Sequence, residues 1–276
     1  MLCFYNGWHS GDVHVSREFV RDITNKLPNE TFSYMHNNSP RLLLDQPRVQ
    51  HVKCHPSASN IASFPGTVKF IDTWYGARGG KYQQKWCNFS TLYSLFTDVY
   101  QDLGIKLEAP IHYLPRPIWG HYQIGGIDAH LASRYGRKRC LISNCDVQSG
   151  QSSNFLFDGI VANLAARNPT WDFYITNPLQ SNSDNVFHTS HIIPPLENDL
   201  NENAYLSTRC DLIVGRGSGP FTFAYNQYNL LNPLTTFICF SNQESIARWH
   251  DDVQCKIVWS NDYTNVEQTI QKEISL

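Results

Sequence analysis

Apolar and polar positions along this chain keep two alternating periods. Short continuous apolar runs mark strands buried on both faces, and stretches with an apolar residue every third or fourth position mark helices with one buried face. LCFY at the start predicts a strand, and residues 15–23 predict a helix with Val15, Phe19, Val20 and Ile23 on one side. TFSYMH, after the Pro28-Asn29 break, is a second strand, and GTVKFIDTW a later one. STLYSLFTDVYQDLG predicts a helix capped by Ser90, with Leu92, Leu95, Phe96 and Val99 on its apolar stripe and Gly104 as its stop.

The stretch PIHYLPRPIWGHYQIGG, residues 110–126, breaks the pattern with Pro110, Pro115 and Pro117 and three glycines, and reads as an interdomain linker. The alternation then restarts. RCLISN, DFYITN, NVFHTSHI, DLIVGRG, TTFICF and CKIVWS are strands. Between them lie helices at residues 157–167, ended by Asn168-Pro169, then NENAYLSTR, GPFTFAYNQYN and a closing NVEQTIQKEI. Strands separated by helices imply parallel sheets with right-handed crossovers. Two such halves around a linker give an α/β chain of two Rossmann-like domains, residues 1–125 and 126–276.

A length of 276 residues with 41% hydrophobic and 17% charged residues supports a packed core and excludes a disordered chain. A net charge of −2 supplies no field for nucleic acid or an anionic membrane, so no nucleic-acid partner is expected. Eight cysteines without a CxxC pair, several inside apolar runs, read as reduced thiols of a cytoplasmic protein. No run of 18 apolar residues is present. His36, Cys54 and His55 lack the spacing of a metal site, and no metal or other cofactor is expected.

In parallel α/β folds ligands bind beyond the carboxyl ends of the strands, so the residues just after each strand carry the chemistry. After the first strand come Asn6, Gly7, His9, Ser10 and Asp12. Asp12 or Ser16 can cap the following helix; equally, Asp12 or His9 can act as a general base on a substrate hydroxyl. In DLIVGRGSGPFTFAYN three glycines in five residues allow positive φ and close backbone approach, and Pro220 suits a first helical turn. Backbone N–H groups at such a start bind phosphate; Ser218 and Thr222 add hydroxyls, and Arg216 can pair with a phosphate or a carboxylate. The spacing lacks the third glycine and the later acidic residue of a dinucleotide fingerprint. SNCDVQSGQSSN offers Ser149, Gln151 and Ser152 at another turn, either as a phosphate cradle or as a solvated loop.

Gly11-Asp12-Val13 followed by an amphipathic helix resembles the Gly-Asp-Val segment of the ADP-heptose:lipopolysaccharide heptosyltransferases. Gly217-Ser218-Gly219-Pro220 resembles the Asp-Thr-Gly-Pro helix start of their second domain. The resemblance implies a GT-B glycosyltransferase, α/β with two Rossmann-like domains facing across a cleft, the first for the acceptor and the second for the nucleotide-sugar donor. A closing helix could pack back on the first domain. The resemblance further implies an inverting, metal-independent transfer to a glycan or glycolipid hydroxyl, with room for peripheral membrane contact. Asp12 would be the base with His9 as its understudy; Arg216, Gly217, Ser218, Gly219 and Thr222 would hold the donor diphosphate, and Ser149, Gln151 and Ser152 would make further donor contacts. The chain departs from the family in placing Gly217 where it has aspartate and Thr222 where it has histidine. A non-catalytic GT-B-like carbohydrate-binding or scaffold protein, a fucosyltransferase-like protein and a nucleotide-sugar epimerase are the alternatives.

Overall fold

Strand β1 (Leu2–Tyr5) is buried along its whole length, as an uninterrupted apolar run requires of a central parallel strand. The computed structural model describes residues 1–55, 57–73, 98–106, 114–148, 150–247 and 253–276. The chain divides into two units, Met1–Ile118 and Trp119–Leu276.

In the first unit β1 is followed by α1 (Ser10–Val15), α2 (Arg17–Lys26), β2 (Phe32–His36), β3 (Val49–Lys53), α3 (Ala58–Ala62) and β4 (Lys69–Asp72). The sheet has the order β3-β2-β1-β4, and every pair is parallel, with Leu2 opposite Phe32 and Lys69. Phe4, Phe19, Tyr34 and Tyr100 pack ring against ring on one face, at 5.9–6.2 Å between centroids. Cys3, Tyr5 and Met35 fill the other face with Ile61, Phe64 and Phe70 against them. Residues 98–102 are helical and end at Gly104, whose φ is +68°. The Ile105 N–H donates to the Tyr100 carbonyl at 2.9 Å and the Gly104 N–H to that of Gln101 at 3.0 Å, the closure that a left-handed glycine permits. The expected start of that helix, from Ser90 to Phe96, lies outside the described residues, as does Cys87.

The second unit runs α4 (Gly125–Ser133), β5 (Lys138–Ser143), α5 (Asp158–Arg167), β6 (Trp171–Ile175), β7 (Val186–His188), α6 (Leu200–Ser207), β8 (Leu212–Arg216), α7 (Gly219–Thr222), α8 (Gln227–Leu230), β9 (Thr236–Phe240), α9 (Glu244–Ala247), β10 (Lys256–Ser260) and α10 (Val266–Ile274). Its sheet, β10-β9-β8-β5-β6-β7, is parallel throughout. Chain order therefore reverses between β5 and β8, as in doubly wound nucleotide-binding sheets. In the first unit it reverses between β1 and β4. The closing helix α10 packs on its own unit, with Val266, Ile270 and Ile274 in the core beside Leu212 and Val214.

Several elements differ from their sequence pattern. The expected helix over residues 15–23 is α2, which starts at Arg17; Val15 ends the separate α1, and at the junction the Ser16 hydroxyl bonds the Val13 carbonyl at 2.9 Å. The expected helix GPFTFAYNQYN is two short helices: the Asn226 side chain accepts from the Asn229 N–H at 3.2 Å and starts α8 afresh. NVFHTSHI is a strand only over Val186–His188 and then turns into a 3-10 helix at Thr189–His191. The linker stretch contains the start of α4. Strand β3 has no apolar run to reveal it because, as an edge strand, it is only half-buried.

None of the glycines of GRGSG has a positive φ, and Gly215 matters for close approach. The described glycines with positive φ are Gly104, Gly136 and Gly150. A Cβ on Gly215 would stand 2.5 Å from Cδ2 of Phe221, a ring 1% exposed and set edge-on to the stacked pair of Tyr225 and Phe237. Gly215→Ala should cost about 1–3 kcal/mol through overpacking, measured as a lower urea midpoint with an unchanged m-value.

Candidate functional site

At the carboxyl edge of the first sheet, the loop after β1 is shaped from beneath by a buried polar network. Asn6 is fully buried. Its Nδ2 donates to Thr73 Oγ1 at 3.2 Å and its Oδ1 accepts from the Trp8 N–H at 2.9 Å. Thr73 Oγ1 lies 2.6 Å from the Tyr34 hydroxyl, which lies 2.8 Å from Ser16 Oγ. From across the loop Asn38 accepts from Ser10 Oγ at 3.0 Å and donates to the Trp8 carbonyl at 3.3 Å. The backbone therefore turns sharply after β1 and starts α1 with Asp12 in its first turn.

Asp12 is the third helical residue rather than the cap, and its Oδ2 accepts from the His9 N–H at 2.8 Å. The residue is only partly covered. Burial pushes its carboxyl up to about 6, against the lowering effect of the His9 N–H. A carboxyl whose pKa lies near 6, in the first helical turn after a strand end, is suited to exchanging a proton. His9 is exposed. Asp72 and Thr73, at the end of β4, stand beside this loop, since Tyr5 pairs with Asp72 in the sheet and the Thr73 N–H bonds the Tyr5 carbonyl at 3.0 Å. Burial, and next Asp72, raise the Tyr5 phenol above its ordinary range. Neither Asp72 nor Thr73 was singled out by sequence, although the rule of reading the residue after each strand applies to both.

The second unit carries its candidate residues at the corresponding edge. Ser218 caps α7, its Oγ accepting from the Phe221 N–H at 3.4 Å, and Thr222 Oγ1 donates to the Ser218 carbonyl at 2.9 Å. The Gly217 N–H is bound to the Phe240 carbonyl at 2.8 Å. The N–H groups of Ser218 and Gly219 bond to none of the described residues. Because α7 is only four residues long, what this turn offers is two directed N–H donors rather than a helix dipole.

Arg216 occupies a different place from the one its neighbours suggested. Its guanidinium is 2% exposed and donates to the carbonyls of Asn144 (3.2 Å) and Cys145 (2.7 Å), to Asp146 Oδ1 (3.1 Å) and to the Phe155 carbonyl. It also lies over the rings of Phe155 and Phe157 at 4.7 and 5.0 Å. Arg216 thus ties the loop after β5 to the end of β8. Asn242 pins the same loop from β9, through the carbonyls of Gln151 (2.8 Å) and Gly150 (2.9 Å). Ser152 is buried with its hydroxyl on the Ser153 carbonyl at 3.3 Å. Ser149 lies outside the described residues.

Where β5 and β8 part, a cavity of about 60 Å³ is lined by Ser143, Cys145, Thr176, Asn203, Pro220 and Phe221, among others. Ser143 Oγ and Asn203 Oδ1 are buried there without a hydrogen-bond partner among the described residues. Such atoms cost free energy unless something polar meets them. Sequence had named neither, because both sit inside regular elements.

No protein-family model matches the chain, and no curated protein matches it. Solved structures do. Over 99% of this chain and 98% of the other, it superposes on the Escherichia coli heptosyltransferase WaaC with ADP, with a TM-score of 0.61 and 10% identity. Escherichia coli ADP-heptose lipopolysaccharide heptosyltransferase II gives 0.59 and 12%, covering 99% and 97%. A glycosyl transferase of family 9 from Veillonella parvula gives 0.57 and 11%, covering 99% and 90%. The chain has the fold of the GT-B glycosyltransferases. In this chain that fold consists of two parallel α/β units in succession, each with a point where strand order reverses. No helix among the described residues is long and apolar enough to cross a membrane.

Arg216→Met should keep the contact with Phe155 and Phe157 while leaving three carbonyls without their donor. An expected loss of about 1–3 kcal/mol would be measured by urea unfolding, with faster proteolytic cleavage within residues 144–155.

Proposed function

We propose that this chain is a glycosyltransferase moving a sugar from a nucleotide-sugar donor to a hydroxyl of a glycan or glycolipid in the cytoplasm. The observation that carries the reading is the pairing of one fold with two complementary sites: a carboxyl near neutrality at one switch point, and free N–H donors beside a partly polar cavity at the other. In this reading Asp12 takes the proton of the acceptor hydroxyl. The acceptor oxygen attacks the anomeric carbon from the face opposite the diphosphate, whose C–O bond breaks, so configuration inverts. The departing nucleoside diphosphate accepts hydrogen bonds from the Ser218 and Gly219 N–H groups, which are fixed before the charge develops. Thr222 and Gly217 shape that turn, Gln151 and Ser152 belong to the neighbouring loop held by Arg216, and His9 sets the Asp12 carboxylate through its N–H.

The departures at Gly217 and Thr222 favour one other reading, a carbohydrate-binding protein of the same fold without transfer chemistry. A screen of nucleotide sugars for released nucleoside diphosphate, with and without glycan acceptors, decides between them. Acceptor-dependent release is the expected result; binding without release supports the second reading.

Asp12→Asn should lower turnover by at least about 10²-fold, as loss of a general base does, and leave nucleotide affinity nearly intact in calorimetric titration. The base works only when ionised, so kcat/KM should fall tenfold per pH unit below about 6 and level off above it. Turnover should persist in the presence of a chelator, since leaving-group charge is assigned to N–H donors and not to a cation.

A further inference from the structure

One large ring beside the Asp12 loop is used by nothing in the fold. Trp8 is 52% exposed, and its indole neither hydrogen-bonds nor stacks with any described residue. Single exposed aromatics are common on protein surfaces, so exposure alone says little. Trp8 is set apart by how its backbone is held and by what stands next to it.

Both backbone polar groups of Trp8 are tied down. Its N–H donates to Asn6 Oδ1 at 2.9 Å, and its carbonyl accepts from Asn38 Nδ2 at 3.3 Å. Asn6 is fully buried and reaches the end of β4 through Thr73. Asn38 lies just after β2 and also takes Ser10 Oγ at 3.0 Å. Residues following three strands of one sheet thus fix the bend at Trp8. An indole on such a backbone has only its two side-chain torsions to lose on binding, so contact with it costs little entropy.

The same peptide joins this ring to the proton-exchanging carboxyl. Between Trp8 and His9, the carbonyl is the one Asn38 holds, and the N–H is the one Asp12 Oδ2 accepts at 2.8 Å. With standard peptide dimensions, Trp8 Cα therefore stands within about 6 Å of Asp12 Oδ2. Asp12 Oδ1 takes no hydrogen bond from another described residue. A hydroxyl placed on Oδ1 brings the group that bears it within reach of the indole. A pyranose ring suits that position: its face of C–H groups lies against the electron-rich face of an indole, while its hydroxyls stay round the edge. An open-chain polyol has no such face. A nucleobase stacks on an indole equally well, but it carries no alcohol hydroxyl for Asp12.

We propose that Trp8 determines acceptor specificity, its indole taking the C–H face of a pyranose ring whose hydroxyl lies on Asp12. The proposal rests on the transfer reading for the role of Asp12, and it makes the acceptor group a ring sugar. The test uses the full chain isotope-labelled at tryptophan, with the Trp8 indole signal in NMR identified by its loss in Trp8→Phe. It is titrated with methyl α-glucoside, methyl β-galactoside and methyl α-mannoside, and with sorbitol as the open-chain control. At least one pyranoside should shift the Trp8 signal saturably, and sorbitol should not. Trp8→Ala should weaken binding of that pyranoside about tenfold, as loss of one stacked aromatic anchor does. Trp8→Phe should keep most of the affinity, and the urea midpoint of both variants should match the parent. In the transfer assay Trp8→Ala should raise the acceptor KM by the same factor, with kcat and the donor KM unchanged. A pyranoside that binds at Trp8 without any transfer in the donor screen would sink the transfer reading and uphold Trp8 as a sugar-binding residue. No saturable shift with any of the three pyranosides, an equal shift with sorbitol, or unchanged affinity in Trp8→Ala would each overturn the proposal, whatever the donor screen gives.

Discussion

Every strand pair in both sheets is parallel, and this one constraint governs where chemistry can sit. Parallel strands must be joined by crossovers, so all carboxyl ends of a sheet open on the same edge. At the strand pair where the order reverses, neighbouring crossovers leave in opposite directions and expose the loops between them. Asn6 to Asp12 occupy that point in the first unit, and the β5 and β8 loops occupy it in the second. Both candidate sites follow from the topology before any side chain is considered.

Exposed loops at such an edge need fixing, and each unit uses a buried arginine for it. Arg17 holds the crossover between β2 and β3 through Asp45 and the Leu42 carbonyl. Arg216 holds the loop after β5 through three carbonyls and Asp146. A guanidinium suits the task because its five donors spread over several acceptors from one rigid plane. Removal of either would strand acceptors that water reaches poorly, which is why a cation is tolerated at almost no exposure. The two arginines differ in consequence. Arg216 draws candidate donor-site loops together, whereas Arg17 fixes the crossover between β2 and β3.

Proton chemistry is set by the same packing. Asp12 is raised by burial although an N–H donor opposes the shift, and His36 is lowered by burial with His51 adding to it. Both shifts favour the neutral form, as desolvation does for acids and bases alike. In Asp12 this brings a carboxyl toward the range useful for a base, and in His36 it leaves a buried imidazole neutral.

From the sequence alone came the α/β class, the two halves, most strands, the Gly104 stop and the loops after β1, β5 and β8, since burial on both faces demands continuous apolar runs and strand ends follow from them. The amphipathic stripe of α2 was legible for the same reason. Tertiary structure decided what depends on neighbours distant in the chain. The half-buried edge strand β3 has no apolar run to announce it, the short helix α1 before Ser16 has none either, and Asn226 starts a new helix through a hydrogen bond made within the fold. Gly215 owes its identity to the Phe221 ring and not to its φ. Arg216, readable as a ligand-facing cation beside GSGP, is an anchor because its acceptors lie 61 to 72 residues earlier in the chain. Spacing along a sequence reports periods of two and 3.6 residues, while the partners of a buried polar group are set by which strands meet in space.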